Sequence, residues 1–481
     1  MNRTTLLQST AKNVLAKAGA EIGSRLLGVL FVLLAARSLG PEGFGKFTFA
    51  AALAALFSAA LEFGLRPIVI REIARAPETA ERFWRIVSGL TLGLGGVLFP
   101  LLLLTALGLH RPPETLWAVG LMGIFGLISA FHELGIAFFT AMRVQEYELF
   151  VRLLSKGLLV LLAFIALTAG GGLTAITASY PLSALMALPL VLWIVRRWSP
   201  TLGPLWDRGE SLRLIREAWP LAAGTLFHYT SWRFPPLLLA LVRDDAEVGY
   251  FGAAFRLIEP LGFVPAIFVS AIFPILSATY GRDDERFRSA IQKVFLLLFL
   301  LACPLGVGTV FVAPHLLRLL YGATFDPAAA MLSVLIWTSA FNFLNFLFFS
   351  IFTSLNRQQE VTRIAGLGLG LNLLLTPPLI LWAGGLGAGL GLAIPEAGLT
   401  LLGGLRLRRL LPGLGLWSAA PKVLAASGLM ALGLWGLRSG PLALQLPVAV
   451  LIYAATLTVL RTVPRDQLSL FCRALAHREG K

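Results

Sequence analysis

Apolar runs of about twenty residues, parted by short polar turns, recur along the whole chain. Each is long enough to cross a hydrocarbon core of ~30 Å as one α-helix. Read this way, the pattern predicts about fourteen spans. The first seven have cores at Ala20–Arg37, Phe44–Leu65, Ile86–Leu109, Leu116–Ala141, Leu149–Ala169, Leu173–Val195 and Ala218–Val242. The second seven lie at Val248–Ala278, Ile291–Ala313, Ala328–Leu355, Val361–Ala383, Leu386–Leu405, Ala419–Leu437 and Leu442–Leu460. The expected class is all-α, a polytopic membrane protein. Spans four, eight and ten exceed a perpendicular crossing, so tilt or projection is expected. Pro235-Pro236 and Pro377-Pro378 should kink spans seven and eleven, a break tolerated where neighbours or cavity water satisfy the freed backbone. Polar residues run on to Arg25, and the apolar core there leads straight into further spans, so no cleavable signal peptide is expected.

Composition agrees. The 481 residues are 57% hydrophobic and only 14% charged, where a soluble domain carries about a quarter. A net charge of +15 could suggest nucleic acid, but its placement on alternate loops explains it and no such partner is expected. One set of loops carries Arg66 to Arg85, Arg143 and Arg152, Arg196 to Arg216, Arg282 to Lys293, Arg357 and Arg363, and Arg406 to Lys422. Both termini are basic as well. The opposite loops hold only Arg37, Lys46, Arg111, Arg243, Arg318 and Arg438. The positive-inside rule then puts both termini in the cytoplasm. The two cysteines, Cys303 and Cys472, imply neither a disulfide framework nor a metal site.

The chain also repeats itself. Arg143-Val144-Gln145-Glu146 follows span four, and Arg357-Gln358-Gln359-Glu360 follows span ten. Gly43-Phe44 and Gly249-Tyr250 open spans two and eight; Pro67-Ile68 and Pro274-Ile275 close them, with Arg75 and Arg282 at equal spacing beyond. Two six-helix lobes in parallel repeat follow, residues 1–195 and 217–410, joined by a cytoplasmic linker at 196–216. Residues 411–481 add two helices and a basic cytoplasmic tail. A parallel repeat places its site at the interface of the halves.

Polar residues inside the spans carry the candidate chemistry. Span one holds Glu21 and Arg25 at i,i+4, a pairing distance. Span seven holds His228, Tyr229, Trp232 and Arg233; span eight holds Arg256 and Glu259 on one helical face. A charge at mid-bilayer costs a few kcal/mol or more and faces a bundle interior or a wet cavity. The plain alternative is internal ion pairs that only neutralise each other. Against it, Arg and His outnumber carboxylates in these three spans. Arginine binds phosphate oxygens through a planar fork and does not titrate away. The set reads as an anion site for phosphate or pyrophosphate, with Arg25, Arg233, Arg256, His228, Tyr229, Trp232 and Glu259 as substrate-binding residues. Glu21, Glu62, Arg66, Glu133 and Glu396 are candidates for gating or for coupling to a proton or sodium ion. His132 shares span four with Glu133; Asn342, Asn345 and Asn372 suit interhelical hydrogen bonds. The glycine runs 366–370 and 384–391 lack a P-loop ending. With no ATP motif, metal cluster or nucleophile–base set, neither an enzyme nor a cofactor is expected.

Several stretches together carry a resemblance. They are Ser24-Arg25-Leu26-Leu27-Gly28, Leu39-Gly40-Pro41-Glu42-Gly43-Phe44-Gly45, Glu62-Phe63-Gly64-Leu65-Arg66 through Arg71-Glu72, and Arg256–Glu259. Over its first twelve spans the chain resembles a polysaccharide-type flippase of the multidrug/oligosaccharidyl-lipid/polysaccharide exporter superfamily. The resemblance implies two six-helix bundles around a cavity that opens alternately to each side. It implies transport of an undecaprenyl-pyrophosphate-linked O-antigen, capsule or exopolysaccharide unit across the bacterial inner membrane. Partners would be that glycan, membrane lipids and a polysaccharide polymerase, with the transporter itself a monomer. Two related cargos compete. Lipid II flippases share Ser24-Arg25-x-x-Gly28 and Arg256–Glu259 but add an Arg-Asp pair where this chain reads Val29-Leu30-Phe31-Val32-Leu33. Cation-coupled drug antiporters prefer acidic cavities, unlike this net-basic set.

Overall fold

The computed structural model describes residues 3–438 and 440–462, with the side chains of residues 1–18 and 20–22 outside the described set. Among the described residues there is no strand. The helices are α1 (Arg3–Glu62), α2 (Leu65–Arg75), α3 (Ala80–Gly108), α4 (Pro113–Ala141), α5 (Glu146–Thr168), α6 (Leu173–Val195) and α7 (Arg208–Val242). They continue with α8 (Asp245–Ile258), α9 (Phe263–Thr279), α10 (Asp284–Tyr321), α11 (Ala328–Ser354), α12 (Gln358–Leu410), α13 (Ala420–Gly436) and α14 (Leu442–Val459). The all-α polytopic architecture expected from the apolar runs is present.

Eleven described segments are long and apolar enough to cross a membrane. Two of them, Gly23–Arg75 and Gln358–Leu410, run 53 residues each, ~80 Å at helical rise, far beyond one bilayer. Each contains a residue outside helical dihedrals, Gly40 in α1 and Gly384 in α12. α7 stands outside the eleven: its His, Arg and Trp residues lower its apolarity. α7 also continues through Pro235 and Pro236 to Val242, and the interruption of α12 falls at Gly384, beyond Pro377-Pro378.

The eighth span departs from expectation. Instead of one helix over Val248–Ala278, α8 stops at Ile258, a 3-10 turn occupies Glu259–Gly262, and α9 resumes at Phe263. Pro260 is the cause, because its ring clashes with the carbonyl four residues back and it donates no N–H. Arg256 therefore lies in the last turn of α8, and Glu259 opens the 3-10 turn.

The chain divides into two compact units: Met1–Arg256 with Thr376–Ala388, and Leu257–Leu375 with Gly389–Lys481. In the first, a core of Ile68, Trp84, Phe138, Phe139 and Val191 joins α2, α3, α4 and α6. Trp84 meets Phe138 edge-on at 5.3 Å and donates from its indole to the Leu202 carbonyl at 3.2 Å. In the second, Phe287, Phe295, Leu347, Phe348 and Leu407 join α10, α11 and α12. Trp417, in the turn before α13, meets Phe295 edge-on at 5.1 Å.

Candidate functional site

Four of the expected binding residues sit on two turns of α7, and two of them, Trp232 and Arg233, reach α8. His228 and Trp232 are one helical turn apart, their ring centroids 6.0 Å apart, with Tyr229 beside His228 at 6.1 Å. Trp232 meets Phe255 of α8 edge-on at 5.8 Å. The Arg233 guanidinium stands 5.5 Å from the same Phe255 ring. Arg256, next along α8, lies 5.8 Å from the ring of Phe47 on α1. Both are at cation–π distance. His228 is exposed, while Trp232 and Arg233 are half-buried. This cluster presents cationic forks and ring faces together.

Arg25 is half-buried in the first part of α1. Its neighbour Ser24 lines a cavity of about 270 Å3 inside the first unit. Glu62, His132, Glu133, Arg152 and Lys156 line the same cavity. Arg66 donates to Glu133 at 3.1 Å. Arg152 pairs with Glu133 at 3.2 Å and donates from Nε to Glu148 at 2.9 Å. Arg66 and Glu133, two of the gating and coupling candidates, thus share one charged network, and a third, Glu62, lines the cavity beside Glu133. Glu62 makes no ion pair or hydrogen bond from its side chain among the described residues. The side chain of Glu21 lies outside the described residues.

Glu396 is in the second unit, on α12. Asn345 of α11 donates to its carboxylate at 2.6 Å and to its backbone carbonyl at 3.0 Å. Thr400 donates to Asn345 at 2.9 Å, and Asn372 donates to the Gly391 carbonyl at 2.9 Å. These asparagines tie helices together in the second unit, as read from the sequence. Glu259 lies in the 3-10 turn of the same unit.

Sequence patterning does not single out Arg152 and Lys156 as cavity residues, because Arg152 belongs to a basic loop set. The signal was present: Glu148, Arg152 and Lys156 recur at i,i+4 on one face of α5. It also left Phe47 and Phe255 without a role.

Several of the sparse basic residues of the opposite loops have carboxylate partners. Arg111 pairs with Asp245, Lys46 with Glu42 at 3.0 Å and Glu114 at 3.6 Å, and Arg318 with Asp326. In the first unit, helices touch through backbone. A Cβ on Gly249 of α8 would collide with the Pro41 carbonyl oxygen, and one on Gly45 with that of Asp245. The Gly385 N–H, just past the break in α12, donates to Glu247 at 2.8 Å.

A family model described as "Polysaccharide biosynthesis protein" matches residues 10–280, more than half of the chain. The chain belongs to that family. A second model, MatE, matches residues 222–377. A curated relative, a putative O-antigen transporter of Shigella flexneri, is 23% identical over 338 residues, covering 67% of this chain and 80% of its own. Among solved structures, the lipid II flippase MurJ in an inward closed conformation superposes with a TM-score of 0.70 at 14% identity, covering 95% of this chain and 100% of its own. An inward-facing multidrug resistance MATE family transporter of the MOP superfamily gives 0.67 at 19% identity, covering 81% and 95%. The family match and the shared fold agree with the resemblance seen in the sequence. The chain is a multi-pass membrane protein.

Proposed function

We propose that this protein flips an undecaprenyl-pyrophosphate-linked oligosaccharide, an O-antigen, capsule or exopolysaccharide unit, across the bacterial inner membrane by alternating access. The basic and aromatic cluster of α7 and α8 carries the reading. Arg233 and Arg256 flank Phe255 in sequence or space, with Trp232 and His228 adjoining. Guanidinium forks suit pyrophosphate oxygens, and ring faces suit sugars. The O-antigen transporter among the relatives supports the same cargo.

In this mechanism the headgroup enters from the face of the basic loops while its polyprenyl tail stays in lipid. Arg25, Arg233 and Arg256 offset its charge, lowering the cost of taking it out of water. Release on the other side requires parting the backbone contact of Pro41 with Gly249. Glu62 is the coupling group for a proton or sodium ion, since it lines a polar cavity without a counter-ion pair of its own; Glu396 is the second candidate. Both termini are cytoplasmic, and the monomer works beside a polysaccharide polymerase.

Gene deletion tests the cargo. The expected result is loss of surface polysaccharide, with lipid-linked units held on the cytoplasmic face and unchanged susceptibility to cationic drugs. Normal surface glycan with increased dye retention would instead identify a drug antiporter.

A further inference from the structure

The transport mechanism leaves one pocket unused, in the second unit on the face that carries the basic loops. It holds about 410 Å3 and is lined by Lys293, Lys422, Ser289, Gln292, Ser418 and Thr462. These residues come from the start of α10, the turn before α13, the start of α13 and the segment just after α14. Two lysines share the pocket, and neither has an ion pair among the described residues. The carboxylate of Asp284 is engaged instead by Arg288, at 3.5 Å.

Two further observations point to an anion. α13 begins at Ala420 with no side-chain cap and no acidic residue in its first turn. The positive end of its dipole thus adds to the lysine charge. Thr462 is only 7% exposed, and its hydroxyl has no hydrogen-bond partner among the described residues. The pocket is also held in shape: Arg288 donates to the Pro412 carbonyl at 2.8 Å and Gln292 to that of Leu414 at 2.5 Å.

We propose that this pocket binds the phosphate headgroup of an anionic phospholipid. Like charges confined together favour a shared anion, and lysine serves phosphate as a point charge. An amphiphile fits better than a free ion because Leu296 and Leu416 form an apolar wall of the pocket. Beside it, Trp417 and Leu424 are 43% and 57% exposed, and indole rings favour the membrane interface. Basic pockets between spanning helices on this face are suited to acidic lipid headgroups.

The test uses the full-length protein in neutral detergent, titrated separately with phosphatidylglycerol, phosphatidylcholine and inorganic phosphate. The readout is the unfolding midpoint by tryptophan fluorescence. Phosphatidylglycerol should raise the midpoint; the other two should not. Lys293→Gln/Lys422→Gln should need roughly tenfold more phosphatidylglycerol for half the effect, while Lys293→Arg/Lys422→Arg should behave as the parent. If the double glutamine variant does not insert, Lys422→Gln alone is read in the same way. An unchanged phosphatidylglycerol response in the glutamine variant would overturn the site. An equal rise with inorganic phosphate would overturn its assignment to lipid.

Discussion

Gly249 of α8 lies so close to Pro41 that a single added methyl would overlap the Pro41 carbonyl oxygen. The obstacle is backbone on both sides, so it cannot be relieved by a rotamer change. Gly249→Ala should therefore lower stability by about 1–3 kcal/mol, as overpacking does, and Gly249→Leu should abolish transport at matched membrane levels. Unchanged transport by the leucine variant would remove this contact from the gating cycle.

Glu133 receives both Arg66 and Arg152, with side-chain exposures of 24%, 39% and 25%. Such half-sheltered pairs fall between surface bridges worth little and buried ones whose breakage costs several kcal/mol. Glu133→Gln should lower stability by about 1–3 kcal/mol, measured as a drop in thermal midpoint in detergent. Glu62→Gln, which breaks no ion pair, should leave the midpoint near the parent value yet remove dependence of transport on the proton or sodium gradient.

Arg256 lies in the last turn of α8, and Glu259 opens the 3-10 turn that holds Pro260. If Arg256 binds headgroup phosphate, Arg256→Ala/Glu259→Ala should insert normally but fail to expose lipid-linked oligosaccharide in spheroplasts. Arg256→Lys should keep part of the activity, since it keeps the charge and loses the fork. Full transport by the double alanine variant would sink the binding role.

Asp207 caps α7: its carboxylate accepts from the Glu210 N–H at 3.0 Å and from Arg82 at 3.4 Å. The Glu210 N–H first, and Arg82 after it, hold this carboxyl below the usual range. A depressed folded-state value stabilises above the ordinary carboxylate pKa, and that gain is lost as pH falls through the depressed value. Amide protection at the start of α7, corrected for intrinsic rate, should fade on acidification in the parent. In Asp207→Asn, whose amide oxygen caps at any pH, it should not.

Topology can be read with cysteines. Gly172→Cys suits the outer turn between α5 and α6, because a Cβ there meets nothing within 4 Å. It should react with an impermeant thiol reagent in intact cells, whereas Gly209→Cys and Gln358→Cys should react only after permeabilisation. Labelling of Gly209→Cys in intact cells would reverse the orientation drawn from the basic loops.

Much of this was legible in the chain. Apolar length alone predicted the helical membrane class, and the spacing of His228, Trp232 and Arg233 predicted a shared face of α7. What escaped depends on three-dimensional encounter. A run of apolar residues hides a break when one proline decides it, as Pro260 does in the eighth span. Periodicity within α5 could place Glu148, Arg152 and Lys156 together but could not bring Arg152 to Glu133, which lies on another helix. Phe47 and Phe255 looked like ordinary core residues because only their partners, two arginines, set them apart.

Gly384 has φ 55° and ψ −127°, and a Cβ there would run into the carboxylate of Glu247. That geometry has a genetic consequence. Every codon reachable from a glycine codon by one base change, if it encodes a different amino acid, encodes one with a Cβ. The position thus has no neutral neighbour in sequence space, and a saturation library selected for surface polysaccharide should return glycine there, with the wild-type codon varying only at its third base.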